Sequence, residues 1–245
     1  MKDTNKVAIV TGGSRGIGGA IATRLAADGF TVVVNFAGNA VEAEALVAKI
    51  EASGGRATPA QADVSDPAAV RRMFDAAQAA FGGVDVIVNN AGIMKVMPMV
   101  DTDDSVFDAH IAINLKGSFN MMREAAKRLR SGGRIINVSS SVVGLYQPGY
   151  TTYAATKSGV EAMTHILSKE LRGRNITVNA IAPGPTATAL FYDGKTQDVI
   201  DRLTAISPLE RLGTPEDVAG AVSFLAGPDG SWINGQVLRA NGGAV

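Results

Sequence analysis

Tyr153 and Lys157 lie four residues apart in Pro148-Gly-Tyr-Thr-Thr-Tyr-Ala-Ala-Thr-Lys157. On a helix that spacing puts both side chains on one face, one turn apart. A free phenol titrates at about 10, and a fixed ammonium beside it favours the phenolate and lowers that value. The pair can therefore serve as a general acid and base on a carbonyl or an alcohol near neutral pH. Tyr and Lys also meet at this spacing by chance on many helix surfaces. The pattern gains meaning when a nucleotide site precedes it and a hydroxyl or amide donor converges on it, and the chain offers both. Three serines, Ser139 to Ser141, close the β-branched run Arg134-Ile-Ile-Asn-Val138. Ligands of open α/β sheets gather at strand C-terminal ends, where a hydroxyl can donate to a carbonyl oxygen and stabilise the developing alkoxide. Inspection does not choose among the three, and serines after strands often only make the turn. Asn114 is polar within the apolar Ala112-Ile-Asn-Leu115. It can kink its helix and hold a water that feeds protons to Lys157, or it can satisfy buried backbone. His110 and His165 have no adjacent nucleophile or acid to give them a role, and both read as structural.

The nucleotide site is carried by Thr11-Gly-Gly-Ser-Arg-Gly-Ile-Gly-Gly19, which follows a strand-like run and opens a helix. Glycines 12, 16 and 18 let the backbone turn tightly and approach a pyrophosphate, and the helix N-terminus offers the anion free N–H groups and positive dipole. Gly12, Ser14, Arg15, Gly16, Ile17 and Gly18 are the candidate contacts. Their spacing, Gly-x3-Gly-x-Gly, departs from the better-known G-x-G-x-x-G. The second strand ends at Asn35, where a site that selects NAD usually carries an acid for the ribose 2′-hydroxyl. No acid stands there, and Arg15 can face a 2′-phosphate, so NADP(H) is expected in preference to NAD(H). Asp63 and Val64 follow the third strand and suit a contact with the adenine ring, although Asp63 equally suits the approach to Asp66-Pro67. Asn90, Ala91 and Gly92 follow the fourth strand and let the chain pass close to a ribose. Asn89 reads as a tie between strand ends.

Short β-branched runs supply the elements that must hold these residues: 7–11, 31–35, 57–62, 84–89, 134–139, 176–182 and 235–238. They are apolar on both faces, as strands buried between helix layers should be. Helical periodicity fills 16–28, 40–53, 67–81, 103–130, 150–172 and 215–226. Asp66-Pro67 and Thr214-Pro215 place a capping side chain before a proline at the first turn. The order predicts an α/β fold, a Rossmann-type doubly wound parallel sheet of about seven strands with helices on both faces. No linker or repeat divides residues 1–245, so one dinucleotide-binding and catalytic domain is expected. The long irregular stretch 184–213 is expected to form a partly helical lid.

The composition narrows the function from outside. With 23 basic and 23 acidic residues the 245-residue chain has no net charge, which removes any global case for nucleic acid or an anionic membrane. There is no cysteine, so disulfides, thiolate zinc sites and cysteine nucleophiles are excluded. Two histidines are too few for a histidine-rich metal site, and no metal is expected. No stretch has the length of an apolar membrane span. Met-Lys-Asp-Thr-Asn-Lys6 has no apolar leader core. A cytoplasmic protein is expected.

Taken in order, Thr11-Gly-x3-Gly-x-Gly18, Asp63, Asn89-Asn-Ala-Gly92, Asn114, Ser140, Tyr153-x3-Lys157 and Pro183-Gly184 resemble the short-chain dehydrogenase/reductase family in its single-domain form, over nearly the whole chain. The resemblance implies hydride transfer between a nicotinamide and a carbonyl carbon. It selects Ser140, thirteen residues before the tyrosine, as the serine that polarises the carbonyl. Tyr153 would move the proton, Lys157 would lower its pKa and bind the nicotinamide ribose, and Asn114 would support the relay. Pro183-Gly-Pro-Thr-Ala-Thr188 resembles the loop where backbone and a threonine meet the nicotinamide carboxamide and pyrophosphate; Thr188 matches better than Thr186. Arg15 resembles the basic residue of NADP-preferring members. Asn241-Gly-Gly243 replaces the family's Asp-Gly-Gly and is expected to touch only the packing of the tail. The family pairs two long helices between subunits, here 103–130 and 150–172, so a homotetramer or dimer is implied.

The substrate is framed by Met94, Val96, Val142, Tyr146, Tyr150, Phe191 and Tyr192, a mostly apolar set that suits a hydrophobic or aromatic ketone. A second reading is reduction of a 3-oxoacyl group on acyl carrier protein, with Lys127, Arg128, Arg130, Arg172 and Arg174 docking the acidic carrier; cations at helix C-termini also need no such role. A third is a nucleotide-sensing regulatory protein on the same fold. Such proteins commonly lose the tyrosine or the lysine, and this chain keeps both.

Overall fold

The computed structural model describes residues 6–245; the leader reading on residues 1–5 falls outside them. In chain order the elements are β1 (Val7–Val10), α1 (Gly16–Ala27), β2 (Thr31–Phe36), α2 (Ala40–Ala52), β3 (Arg56–Gln61), α3 (Pro67–Phe81), β4 (Val84–Asn89), α4 (Asp104–His110), α5 (Ser118–Arg128), β5 (Leu129–Val138), α6 (Val142–Leu145), α7 (Thr151–Glu170), β6 (Thr177–Pro183), α8 (Ala189–Tyr192), α9 (Gln197–Thr204), α10 (Pro215–Ala226) and β7 (Val237–Ala240). The strands form one parallel seven-stranded sheet in the order β3-β2-β1-β4-β5-β6-β7. The order reverses between β1 and β4, and a crevice opens there at the strand C-terminal ends.

Each face of the sheet has its own core. On one face the strand residues are small or branched: Ala8, Val10, Val32, Val34 and Val88 pack with α1, α2 and α10 through Ile21, Leu25, Val47, Val222 and Leu225. On the opposite face Ile9, Val33, Ile87 and Ile135 pack with α3 and α5 through Phe74, Met73, Met121 and Ala125. Runs apolar on both sides thus became central strands, as their lack of alternation requires. The expectation fails at both edges: β7 (Val-Leu-Arg-Ala) and β3 (Arg-Ala-Thr-Pro-Ala-Gln) have no buried residue, and Pro59 in β3 is tolerated because one side of the strand lacks a neighbour.

Three further differences have local causes. The helix expected over 103–130 is interrupted by a wider π-type turn at Ile111–Gly117. Chain expected to end that helix instead begins β5 at Leu129, because Arg130 is drawn to Asp85 (2.9 Å) and the Phe81 carbonyl (3.0 Å), and a register shift separates Val84 from Val86 there. β7 starts two residues late, since Gly235 takes φ +66° and Asn179 and Asn234 bind the turn before the strand. The stretch 184–213 carries two short helices, α8 and α9. Among the described residues no helix is long and apolar enough to cross a membrane.

Candidate active site

The glycine loop reaches the crevice through two left-handed glycines. Gly12 has φ +57° and Gly16 φ +54°, conformations that cost a Cβ-bearing residue. Gly18 is required by contact: a Cβ there would lie 2.2 Å from the Gly12 carbonyl oxygen. The loop is braced from behind. Asn90 donates from Nδ2 to the carbonyls of Thr11 (2.9 Å) and Gly12 (3.0 Å), and the Thr11 hydroxyl accepts from the backbone of Asn90 and Ala91 (3.0 Å each). Helices α2, α3 and α10 are capped by the side chains of Asn39, Asp66 and Thr214. α1 has no side-chain cap and no acid in its first turn. Its N-terminal amides open onto a cavity of about 440 Å³ lined by Gly12, Ser14–Gly18, Asp63, Val64 and Asn90–Gly92. An uncapped helix N-terminus over a cleft of that size fits the pyrophosphate of a dinucleotide.

The adenosine end differs from the sequence reading. β2 runs to Phe36, and the Asn35 side chain is consumed within the fold: it donates to the carbonyls of Ala60 (3.1 Å) and Ala62 (3.0 Å) and accepts from the Gly12 amide (3.4 Å). Asn35 still lines the cleft, together with Phe36 to Asn39. Arg15 is well exposed, and its guanidinium is held by Glu42 at 3.2 and 3.3 Å. Glu42 comes from the first turn of α2, outside the strand end where an acid was sought, so pattern reading missed it. Asp63 accepts from the Ser65 amide and hydroxyl (2.8 Å each), a local turn that leaves the carboxylate exposed at the cleft. Val64 is buried against Gly117, where a Cβ would lie 2.6 Å from its Cγ2, so the interrupted helix needs its glycine. Asn89 ties β4 to β5 through Asn137 (2.7 Å).

A second cavity of about 130 Å³ adjoins the first, and Ile17, Thr188 and Leu190 line both. Tyr153, Ser140, Pro183, Gly184 and Thr186 are in its wall. The structure separates the three serines. Ser139 donates to Glu161 (2.6 Å), and Ser141 donates to the Ala182 carbonyl (3.0 Å) and accepts from Asn241 (2.9 Å). The Ser140 hydroxyl accepts from the Val142 amide (3.3 Å) and is the one of the three that lies against the Tyr153 phenol. Asn241 and Gly184 are in contact, so the tail supports the site wall as well as itself. Thr186 is buried with its hydroxyl on the Gly184 carbonyl (2.9 Å), whereas Thr188 caps α8 at the junction of the cavities.

Lys157 is 3% exposed and its Nζ donates to the Val138 carbonyl at 2.6 Å, 5.5 Å from the Tyr153 ring centroid. Burial pushes this amine down to about 8. Burial also pushes the Tyr153 phenol up to about 12, the Ser140 hydrogen bond opposing this and Tyr150 adding to it. The sequence expectation of a phenol lowered by its lysine is thereby corrected. The ammonium points at Val138, and desolvation of the phenolate outweighs its pull. The ring is half-buried, with part of its surface open to the cleft. At neutral pH the pair is a protonated phenol beside an ammonium, the form a proton donor requires.

Asn114 uses its side chain on backbone: Oδ1 accepts from the Ile93 amide (2.8 Å) and Nδ2 donates to the Ile93 carbonyl (2.9 Å). His110, buried one turn earlier, accepts from the Lys95 amide (3.2 Å) and bonds the Val106 carbonyl (2.7 Å). Together they clamp 93–95 and set Met94 in the cavity wall. His165 bonds the Gly235 carbonyl (2.8 Å). Of the apolar set, Met94, Val142, Tyr150 and Phe191 line the cavity, while Val96, Tyr146 and Tyr192 are exposed and outside its wall. Tyr146 turns away because it sits at φ +50° where α6 ends. Leu145, Gln147 and Leu203 are also in the wall without having been singled out; only the turn before α7 could have pointed to Gln147.

Most of the cations proposed to dock a carrier are engaged elsewhere. Arg128 pairs with Asp75 and Glu124, Lys127 with Glu124, Arg130 with Asp85, and Arg174 donates to the carbonyls of Ala126 and Leu129. Arg130 stands at the start of β5 and Ser140 beyond its end, so the cluster faces the end of the sheet opposite the cavity.

Comparison with known proteins identifies the family. A family model described as enoyl-(acyl carrier protein) reductase matches residues 12–245. An NADPH-dependent aldehyde reductase-like protein, chloroplastic, from Arabidopsis thaliana is 46% identical, covering 98% of this chain and 94% of that one. The 3-oxoacyl-[acyl-carrier-protein] reductase FabG of Staphylococcus epidermidis is 40% identical, with 98% of both chains covered. The crystal structure of a short chain dehydrogenase from Burkholderia cenocepacia in complex with NADP superposes with TM-score 0.94 at 40% identity, covering 100% of this chain and 99% of that one. The chain belongs to the short-chain dehydrogenase/reductase family and is an NAD(P)-dependent oxidoreductase of that family.

Proposed function

We propose that the protein reduces an apolar or aromatic ketone or aldehyde to the alcohol, and catalyses the reverse, with NADP(H) as cofactor in preference to NAD(H). The observation that carries this reading is the convergence of Ser140 and Tyr153 at the junction of the dinucleotide cleft and a mostly apolar cavity. The glycine loop, Asp63, Asn90–Gly92 and the Pro183–Thr188 segment would hold NADPH, and the bound cofactor would supply the hydride. Ser140 holds and polarises the carbonyl oxygen. Tyr153 gives that oxygen its proton. Lys157 keeps a positive charge 5.5 Å from the centre of the phenol ring and would bind the nicotinamide ribose. Asn114 acts through position, fixing 93–95, and its carbonyl takes the Ser118 hydroxyl (2.7 Å).

The cofactor preference is supported by Arg15 at the cleft rim and by the NADP and NADPH named for similar proteins. The acyl-carrier reading has a similar reductase behind it, but most of the cations it invoked are paired at the far end of the sheet. We take residues 1–245 as one domain in which 184–213 closes over the substrate, as Phe191 and Leu203 in the cavity wall support. Exposed Phe107, Phe119 and Ile166 support pairing of α4, α5 and α7 between subunits of a cytoplasmic homotetramer; light scattering and cell fractionation test these two points, the relative named chloroplastic being the counter-example. The reductase reading is tested by NADPH consumption across aryl ketones, aldehydes, diketones, acetoacetyl thioesters and sugars. Turnover confined to acetoacetyl thioesters or to sugars would overturn it.

A further inference from the structure

The small cavity is apolar but not uniformly so, and its polar groups are of two kinds. Ser140 and Tyr153 face one another at the reacting position. Gln147 and Tyr150 lie beside them in the same wall. Tyr150 precedes α7 and Tyr153 falls in its first turn, three residues on, so the two rings share a helix face. The turn before the helix is closed by the Tyr150 amide on the Gln147 carbonyl (3.4 Å), which carries the Gln147 side chain to the cavity. Neither the Gln147 amide group nor the Tyr150 hydroxyl has a hydrogen-bond partner among the described residues. The Thr186 and Thr188 hydroxyls of the wall, by contrast, are bound to backbone. No Asp, Glu, Lys, Arg or His is in the wall. Both residues are half-buried in the wall, so their polar groups are free to bond a ligand that enters the cavity, and a ligand with no polar group there would leave them without a partner. A cavity with no charge in it offers an anion nothing in return for its desolvation.

We infer that Gln147 and Tyr150 form a second subsite that receives a neutral hydrogen-bonding oxygen on a carbon close to the reacting carbonyl, so that the substrate class is a diketone or hydroxyketone with an apolar body. Tyr150 can only donate or accept as a neutral phenol, since burial raises its pKa further from neutrality. Gln147 offers both a donor and an acceptor, which accommodates a ketone or a hydroxyl as the second group. The inference rests on the carbonyl-reductase reading and sharpens it: Ser140 and Tyr153 would serve any carbonyl, while the subsite decides which of two similar molecules is held.

The test compares 1-phenyl-1,2-propanedione, propiophenone and phenylglyoxylate as substrates with NADPH, in the full-length protein and in Gln147→Leu and Tyr150→Phe. The measured quantity is the ratio of kcat/KM for the dione to that for the monoketone, so that intrinsic reactivity cancels between proteins. Each variant should lower this ratio on the order of tenfold, the effect of one hydrogen bond to a neutral group. The full-length protein should prefer the dione to the carboxylate-bearing glyoxylate. A ratio unchanged in both variants overturns the subsite, because a merely structural role lowers both rates together. Preference for the glyoxylate overturns its neutral character. Turnover of no ketone by the unsubstituted protein, with NADPH bound, overturns the reductase reading and the subsite with it.

Discussion

Lys157 is kept at a cost that can be measured without any substrate. Its Nζ is buried, hydrogen-bonded to Val138, and its pKa is pushed down to about 8 from 10.5 by burial. Between those values the unfolded chain holds a proton that the folded chain lacks, so stability rises with pH. At ~1.4 kcal/mol per pH unit the slope integrates to about 3 kcal/mol, present in full above pH 10.5 and absent below pH 8. Lys157→Met keeps most of the volume and removes the ammonium. At pH 7 it should recover up to about 3 kcal/mol, less ~1–3 kcal/mol for the Val138 carbonyl left without its donor. The diagnostic is the pH dependence of the difference. On moving from pH 7 to pH 10, unfolding in urea should show the wild type gaining about 2–3 kcal/mol relative to the variant, while turnover is lost in the variant at both pH values. Other titrating groups are common to both proteins and cancel. Stability curves that stay parallel between pH 7 and pH 10 would refute the claim that Lys157 is a buried ammonium.

The same lysine sets the pH profile of catalysis. Reduction should hold steady through neutrality and fall as pH rises through about 8, where Lys157 loses its proton while the Tyr153 phenol, at about 12, keeps its own; a profile flat to pH 10 would remove Lys157 from the charge balance of the site. Glu42→Gln should release Arg15 for a 2′-phosphate and tighten NADPH about two- to fivefold, the scale of an exposed ion pair, with NADH unaffected in a fluorescence titration; an equal change for both cofactors would place Arg15 away from the phosphate. Gly18→Ala forces a Cβ to within 2.2 Å of the Gly12 carbonyl oxygen, so the loop must shift and calorimetry should show NADPH binding weakened by roughly tenfold or more, with ~1–3 kcal/mol of stability lost; binding as tight as the wild type's would show that the loop does not shape the cleft.

The parts of this molecule that follow from short-range pattern were legible in the sequence. Seven β-branched runs became seven parallel strands, and Asp66-Pro67 and Thr214-Pro215 became capped helix starts, because each depends on a few neighbouring side chains. What escaped was set by contacts distant in sequence. Glu42 reaches Arg15 from another helix, 27 residues on. Asn35 stands where an acid for the ribose was sought, and its amide donates to the carbonyls of Ala60 and Ala62, on the neighbouring strand and just past its end. Arg130 belongs to a strand instead of a helix because Asp85 draws it there from 45 residues away. The phenol of Tyr153 moved opposite to expectation because spacing reveals the lysine's proximity but neither the direction of its Nζ nor the depth of burial.

The account stands on Tyr153 as the proton donor, and Tyr153→Phe with whichever carbonyl substrate the wild type reduces is its most direct measurement. The variant should bind NADPH with a Kd like that of the wild type and consume it roughly a thousandfold more slowly, in keeping with the ~10²–10⁴-fold that a positioned acid contributes. NADPH consumption within about tenfold of the wild type, at unchanged cofactor affinity, would contradict it.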